Sequence, residues 1–300
     1  MVSLKNEQAK CLRNNFVFKI IPMLNPDGVS RGYYRLDTKG FNLNRFYLDP
    51  SRQEHPTIHA TKALVAQHAT VYKHLMMFVD FHAHASKKSG FMFGNCLQNK
   101  EAQADNITFA KLVAMNCLNF DMTECNFSDR IMSVKDRNGQ SREGSSRVAI
   151  YQATGCTYCY TLEFNYHSGK KINTLAPKHI RWNGQIEPET PVTDPSSKIY
   201  SGVASPPYTQ EIFEDCGRGF GAAILDLIDD NPVSRIPLSC YKNVSNVRED
   251  IMNNLEKYQS GQCTVIGANN FSESNKKVAK LYADTKVPRL NVKPGSGRVA

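Results

Sequence analysis

The sequence predicts an α/β domain built around a mostly parallel sheet. Two continuous apolar runs, Phe16–Leu24 and Leu75–Phe81, have the length of strands that are buried on both faces. Segments with helical spacing separate and follow these runs, and such alternation is typical of a parallel sheet. The 300 residues are 41% hydrophobic and 22% charged, which excludes wholesale disorder, collagen and coiled coil.

The first half of the chain provides two strands and a helix. The run Phe16–Leu24 ends in the sequence NPDG at residues 25–28, which is a strong turn signal. Apolar residues recur at helical spacing from His55 to Phe78, and Pro56 stands where a first helical turn tolerates proline. The second apolar run then leads into the sequence DFHAH at residues 80–84.

The second half continues the alternation. A helix is predicted over Ala104–Cys117 and a closing amphipathic helix over Tyr208–Asp230. Residues 168–207 lack a clear period and predict a long surface loop. Between these segments, the apolar stretches Val148–Tyr151 and Tyr158–Tyr166 predict further strands.

Charge and periodicity divide the chain into a folded domain, residues 1–231, and a tail, residues 232–300. The tail has 11 Lys and Arg against 5 Asp and Glu, whereas the whole chain has a net charge of +9. Because its periodicity fades, the tail is predicted to be disordered. The nearly balanced domain does not predict a nucleic-acid interface, and no apolar stretch long enough to span a membrane or resemble a signal peptide occurs.

The nine cysteines are odd in number and scattered, which predicts free thiols. Cys156 and Cys159 form a single Cys-x-x-Cys motif. A zinc knuckle needs a second such pair, and the sequence has none, so the motif is interpreted as buried or incidental thiols.

Chemistry-bearing residues follow or lie within the predicted strands. The first strand feeds a loop that contains Arg35, Asn44 and Arg45, the second ends at His82, and the third contains Glu163. Ligands in open α/β sheets bind at the carboxyl ends of strands. A metal ligand, a general base and a cluster of guanidiniums suit a substrate whose carboxylate lies next to the bond being broken.

Each of these residues also has a structural interpretation. A single histidine after a strand, such as His82, is usually structural. A carboxylate in a buried strand requires a partner, so Glu163 is either functional or part of a structural ion pair. Arg35 and Arg45, taken alone, would be solvated loop charges.

Several long blocks in register resemble the cytosolic carboxypeptidases, which are cytoplasmic zinc metallocarboxypeptidases that remove glutamate from tubulin and other acidic tails. The resemblance is strongest to the subgroup that removes branch-point glutamates. It implies a zinc-carboxypeptidase-like α/β/α sandwich with a mostly parallel mixed sheet. The matching blocks run in order between residues 16 and 232: FKIIPMLNPDGVSRGYYRLDTKGFNLNR, HPTIHATKAL, FVDFHAHASKKSGFMFGN, CNFSDRIMSVKDRNGQSREGSSRVAIYQATG and YTLEFNY.

The resemblance also implies roles for individual residues. His82 matches a zinc ligand, and Glu163 matches the glutamate that takes a proton from the attacking water. Arg35 matches the arginine that stabilises the oxyanion, while Asn44 and Arg45 match the pair that binds the substrate's terminal carboxylate. The tyrosine that closes over the substrate matches Tyr151. Charge complementarity adds Arg147 as a reader of a substrate glutamate side chain, with a surface arginine as the alternative.

The family takes two further zinc ligands from a His-x-x-Glu motif upstream of the NPDG block, and none of the eight histidines in this chain has Glu three residues later. A catalytic zinc site needs three protein ligands. We therefore expect an N-terminally incomplete domain that lacks its first strands and two of its three ligands. Two interpretations remain open: a piece of an active carboxypeptidase, and a truncated inactive relative that binds acidic tails. A generic α/β domain with a basic tail would require the ordered blocks to be coincidental.

Overall fold

The computed structural model describes residues 4–136, 138–170, 172–181, 185–201 and 203–255. In these residues the helices and strands alternate irregularly along the chain. The helices are α1 (Glu7–Asn15), α2 (Pro26–Ser30), α3 (Pro56–Thr70), α4 (Lys100–Asn116), α5 (Arg130–Ser133), α6 (Ser146–Thr154), α7 (Gln210–Leu227) and α8 (Val244–Asn253). The strands are β1 (Met77–His84), β2 (Gly90–Phe93), β3 (Tyr158–Asn165), β4 (His179–Ile180) and β5 (Val233–Ser234).

The main sheet has three strands in the order β1-β3-β2. Strands β1 and β3 pair in parallel, and β2 pairs with β3 in the antiparallel direction. A separate two-stranded sheet joins β4 to β5. The α/β class and the mixed sheet are thus confirmed.

The main core lies where α4, α7 and α8 pack together and against β3. Its largest fully buried side chains include Phe109, Phe120 and Tyr160. A second, smaller core forms around Tyr47, Ile58 and Ile150, where α3 and α6 pack against each other. The second core supports the loops that carry the candidate site.

The predicted strand Phe16–Leu24 is wrong. Residues 16–23 have no regular secondary structure, and Val17 and Ile20 are 83% and 70% exposed. Apolar composition alone does not make a strand, because a strand also needs a neighbour for its backbone hydrogen bonds. Within the described chain, β1 is at an edge of the sheet and pairs only with β3.

The predicted strand Val148–Tyr151 is also wrong, because these residues lie within helix α6. The helix begins after Ser145 and ends at Gly155, which adopts the left-handed conformation with φ of 69°. Glycine favours that conformation at a helix end, where its N–H donates back to the carbonyl of Tyr151. A four-residue apolar run is too short to distinguish a strand from a buried helical face.

The predicted disorder of the tail is wrong for its first part, since β5 and α8 both follow residue 232. Helix α8 packs on α4, and Val247 and Ile251 are fully buried. Arg248 donates to the carboxylate of Asp105 at 2.5 Å, which offsets a positive charge of the tail. The prediction for residues 256–300 lies outside the described residues.

Seven described cysteines are free thiols, as predicted, whereas Cys96 is disulfide-bonded, so that prediction is wrong for Cys96. No helix in the described part of the chain is long and apolar enough to cross a membrane.

Candidate active site

The pairing of β1 with β3 brings His82 and Glu163 together. In the parallel register these two residues are direct partners, so their side chains leave the sheet on the same face. Nδ1 of His82 lies 3.4 Å from Oε1 of Glu163, and Glu163 is only 7% exposed. The expected proximity of the histidine and the glutamate is therefore present.

The other ring nitrogen of His82 faces a second carboxylate. Nε2 lies 2.9 Å from Oδ2 of Asp80, which is two residues earlier on the same face of β1. The hydroxyl of Ser146, at the start of α6, donates to the same carboxylate oxygen. Asp80 thereby connects the imidazole to the first turn of α6.

Asn44 joins this network from the segment between α2 and α3. Its side-chain amide nitrogen lies 3.3 Å from Nε2 of His82, and its oxygen accepts a hydrogen bond of 2.8 Å from the backbone N–H of Ser146. The hydrogen bond from Ser146 fixes the orientation of the amide, and its nitrogen lies in contact with the imidazole. The predicted substrate-binding residue Asn44 therefore contacts the predicted metal ligand.

The two carboxylates determine the protonation of His82. Burial by itself lowers the pKa of the imidazole, but the hydrogen bonds and charges of Asp80 and Glu163 outweigh it and raise the pKa to about 10. The two neighbouring carboxyl groups therefore favour the protonated, imidazolium form of His82.

Arg45 lies next to Asn44 and is fixed by two contacts. Its Nε donates to Asp136 at 2.9 Å, with the two side chains only 10% and 15% exposed, and its Nη1 donates to the carbonyl of Asn44 at 2.6 Å. Burial lowers the pKa of Arg45, the pair with Asp136 opposes that effect, and the charges of Arg35 and Arg142 lower it further. The guanidinium is held rigidly in a positively charged environment.

Arg35 and Arg142 are close enough to Arg45 to repel it, so the three form what we call the arginine rim. No ion pair holds either Arg35 or Arg142 in the described chain, in contrast to Arg45. Of the three guanidiniums, the described chain pairs only that of Arg45 with a carboxylate, that of Asp136. An anion that approaches it would thus meet an excess of positive charge.

Arg147 is buried, so its alternative interpretation as a surface arginine is wrong. It is 4% exposed and donates to the carbonyl of Gly94 and to the side chain of Asn95. Burial lowers the pKa of the guanidinium to about 9. This arginine contacts backbone and amide oxygens, and its role as a reader of substrate side chains stays a prediction.

Tyr151 lies on α6 and is half-buried against the second core. Burial raises the pKa of its phenol, so the hydroxyl stays protonated at neutral pH. Its position on a helix differs from the strand that the sequence predicted, and its closing role stays a prediction.

Sequence reasoning assigned no role to four residues that build the site: Asp80, Asp136, Arg142 and Ser146. A signal existed for Asp80, because residues two apart on a strand share a face. No spacing rule connects Asp136 or Arg142 to Arg45, since the loops that bring them together are far apart in the sequence.

Comparisons with known proteins identify the family of the chain. Residues 1–189 match the family model described as zinc carboxypeptidase. Cytosolic carboxypeptidase-like protein 5 of Ailuropoda melanoleuca is 33% identical over 348 residues, covering 88% of this chain and 38% of that relative. Human cytosolic carboxypeptidase 6 is 35% identical over 224 residues, covering 74% of this chain and 37% of that protein. The chain thus spans well under half the length of these relatives.

Among solved structures, a metallo-carboxypeptidase from Burkholderia cenocepacia superposes with a TM-score of 0.52. It is 20% identical and the match covers 75% of this chain and 48% of that one, so it bears on the fold alone. The family model and the fold together define a domain of the metallocarboxypeptidase class. The chain belongs to the zinc carboxypeptidase family, and its relatives place it among the cytosolic carboxypeptidases.

That family implies zinc, yet the described residues do not complete a site for it. No group of three or more His, Cys, Asp and Glu side chains in this part of the chain could hold a metal ion. Asp80 and Glu163 face opposite ring nitrogens of His82, so the two carboxylates and the imidazole do not converge on one point. His82 could supply one donor, which falls short of three protein ligands, and no chemical step is assigned to zinc.

Proposed function

We propose that this chain binds the acidic C-terminal end of a polypeptide and takes part in removing its last glutamate. The proposed substrates are C-terminal or branch-point glutamates of polyglutamylated tubulin and similar tails in the cytoplasm. The observation that carries the proposal is the arginine rim beside Asn44, His82 and Glu163.

The donor count of Arg45 supports a carboxylate-binding role. A guanidinium has five N–H groups, and the contacts with Asp136 and the carbonyl of Asn44 occupy two of them. Three remain, which is enough for the two parallel hydrogen bonds of an arginine-carboxylate pair. The terminal carboxylate of a peptide is the ligand that fits this fork.

Arg35 and Arg142 would favour the binding of an acidic substrate. Both are guanidiniums of the rim without an ion pair in the described chain, and both lie within electrostatic range of Arg45. A glutamate at the end of a peptide has a second carboxylate a few bonds from its terminal one. We propose that Arg35 stabilises the oxyanion that develops at the scissile carbonyl, and that Arg142 attracts the additional carboxylates.

Glu163 is proposed as the general base. A buried carboxylate within reach of the scissile bond can accept a proton from the attacking water and pass it to the leaving amine. Its contact with Nδ1 of His82 orients it on the same face of the sheet. Tyr151 and Arg147 are proposed to close over the substrate and to read its side chain, respectively.

A second candidate function is binding without hydrolysis. The specific observation in its favour is the lack of a three-ligand metal cluster in the described residues. In this alternative the arginine rim holds acidic tails and no peptide bond is cleaved.

One experiment separates the two candidates. The full chain is mixed with a peptide that ends in several glutamates, with and without added zinc. Mass spectrometry identifies the products, and metal analysis measures the bound zinc. Both candidates predict that the peptide binds, and binding with substoichiometric zinc and no release of glutamate would favour the second candidate. Zinc-dependent release that the substitution Glu163→Gln abolishes would establish hydrolysis by this chain. The absence of both binding and release would refute the proposal.

A further inference from the structure

A cavity of about 420 Å³ lies beside the start of β3, away from the arginine rim. Its lining comes from the end of α3, the segment before β1 and the loop that joins α6 to β3, and it includes Lys73, Met76, Thr154 and Cys156. The thiol of Cys156 donates to the carbonyl of Met76 at 3.4 Å. The proposed peptidase activity gives this cavity no role.

A second thiol lies directly behind the first. Cys159 is fully buried on β3, opposite Phe78 of β1, and its thiol hydrogen-bonds to the sulfur of Cys156. The half-buried Cys156 therefore faces the cavity, and the buried Cys159 backs it. This is the arrangement of an attacking thiol with a resolving thiol.

The surroundings lower the pKa of Cys156 and raise that of Cys159. The hydrogen bond from Cys159 lowers the pKa of Cys156, and the backbone N–H groups of Tyr158 and Phe78 add to this effect against the opposing influence of burial. Burial raises the pKa of Cys159. The positive charge of Lys73 lines the same cavity.

We propose that Cys156 and Cys159 form a redox-active dithiol that reacts with hydrogen peroxide or another small peroxide. The thiolate of Cys156 attacks the peroxide, its sulfur is oxidised to sulfenic acid, and the O–O bond breaks with release of hydroxide. The thiol of Cys159 then attacks the sulfenic sulfur, forming the disulfide and releasing water. A small-molecule thiol returns the pair to the reduced state by thiol-disulfide exchange.

The chain contains a matched internal control. The sulfurs of Cys117 and Cys216 are 3.3 Å apart, but both residues are buried, between the end of α4 and α7. Burial raises the pKa of Cys216 well above its ordinary value. The two pairs thus share proximity and differ in access and thiolate character, so the dithiol at 156 and 159 should oxidise at least about ten times faster.

The test is peroxide titration of the full native chain, followed by alkylation of free thiols, trypsin digestion and mass spectrometry. Both cysteines of the proposed dithiol lie in one tryptic peptide, residues 148–170, whereas Cys117 and Cys216 lie in two different peptides. We expect the 148–170 peptide to lose two hydrogens before the other pair becomes linked, and dithiothreitol to reverse the loss. Equal or slower oxidation of the 148–170 peptide would overturn the proposal.

Two variants assign the order of attack. In Cys159→Ser, a dimedone adduct is expected on Cys156, because the sulfenic acid has no thiol to resolve it. In Cys156→Ser, Cys159 is expected to remain reduced at the same peroxide dose. A dimedone adduct on Cys159 in place of Cys156 would refute the assigned roles. If a variant fails to fold, the peroxide titration of the wild-type chain still tests the proposal.

Discussion

Replacing Arg45 by alanine removes the fork that the account assigns to the terminal carboxylate. The substitution deletes three N–H groups that the protein itself leaves available, together with the contact to Asp136. A charge-assisted hydrogen bond contributes about 1.5–3 kcal/mol, and two parallel bonds are lost with the fork. A net loss of about 3 kcal/mol corresponds to a dissociation constant raised on the order of a hundredfold.

The assay is isothermal titration of the full chain with a peptide that ends in glutamates. Arg45→Lys serves as a graded comparison, because it keeps the charge and loses the fork, and its affinity is expected between those of wild type and Arg45→Ala. Arg31→Ala is a matched control in the neighbouring exposed loop and should leave affinity unchanged. A thermal melt of each variant measures how far the loss of the Asp136 pair destabilises the fold. Unchanged affinity in a folded Arg45→Ala protein would refute the assignment.

Three other substitutions test separate parts of the account. Asp80→Asn removes one of the carboxylates that raise the pKa of His82 from 6.5 to about 10. An NMR titration of the imidazole should therefore show a lower pKa than in the wild type, and an unchanged pKa would contradict the contact. The stabilisation that this raised pKa provides is fully present below pH 6.5 and is lost as the pH rises through 10, so the free energy of unfolding should fall less over that range in Asp80→Asn. Gly144→Ala would place its Cβ 2.0 Å from the carbonyl oxygen of Arg45, and should reduce both the melting temperature and peptide affinity; a loss of neither would show that the loop adapts freely. Ile251→Ala should lower the free energy of unfolding by about 2–4 kcal/mol, measured by urea denaturation, whereas a neutral effect would mean that α8 does not pack as described.

The sequence predicts the elements whose signals are long and local. The helical spacing after Pro56 corresponds to α3, and the apolar runs that lead to His82 and Glu163 correspond to β1 and β3. Here the pattern of apolar residues and the packing of the chain favour the same local structure. The pairing of two parallel strands then places the histidine and the glutamate side by side.

The failures occur where a local pattern depends on distant partners. The run Phe16–Leu24 has strand composition, but no strand of the described chain pairs with it. Helix α8 lies in a polar region, yet Val247 and Ile251 are four residues apart on one face, and Asn243 caps its first turn. The polar average composition of the tail hid this short amphipathic pattern, which is typical of a helix.

The sequence likewise predicts some residues of the site but not the contacts that position them. The resemblance identified Arg45 and Asn44, but only the three-dimensional structure shows that Asp136 holds one and Ser146 the other. It also shows that Arg147 is interior, which residue type alone could not show.

The central claim is that the arginine rim recognises a free terminal carboxylate on an acidic peptide. The most direct measurement compares the affinity of the wild-type chain for one glutamate-ended peptide with its affinity for the same peptide as a C-terminal amide. The account predicts that amidation weakens binding by at least about tenfold, since a neutral amide cannot form the charged pair with Arg45. Equal affinity for the acid and the amide would contradict it.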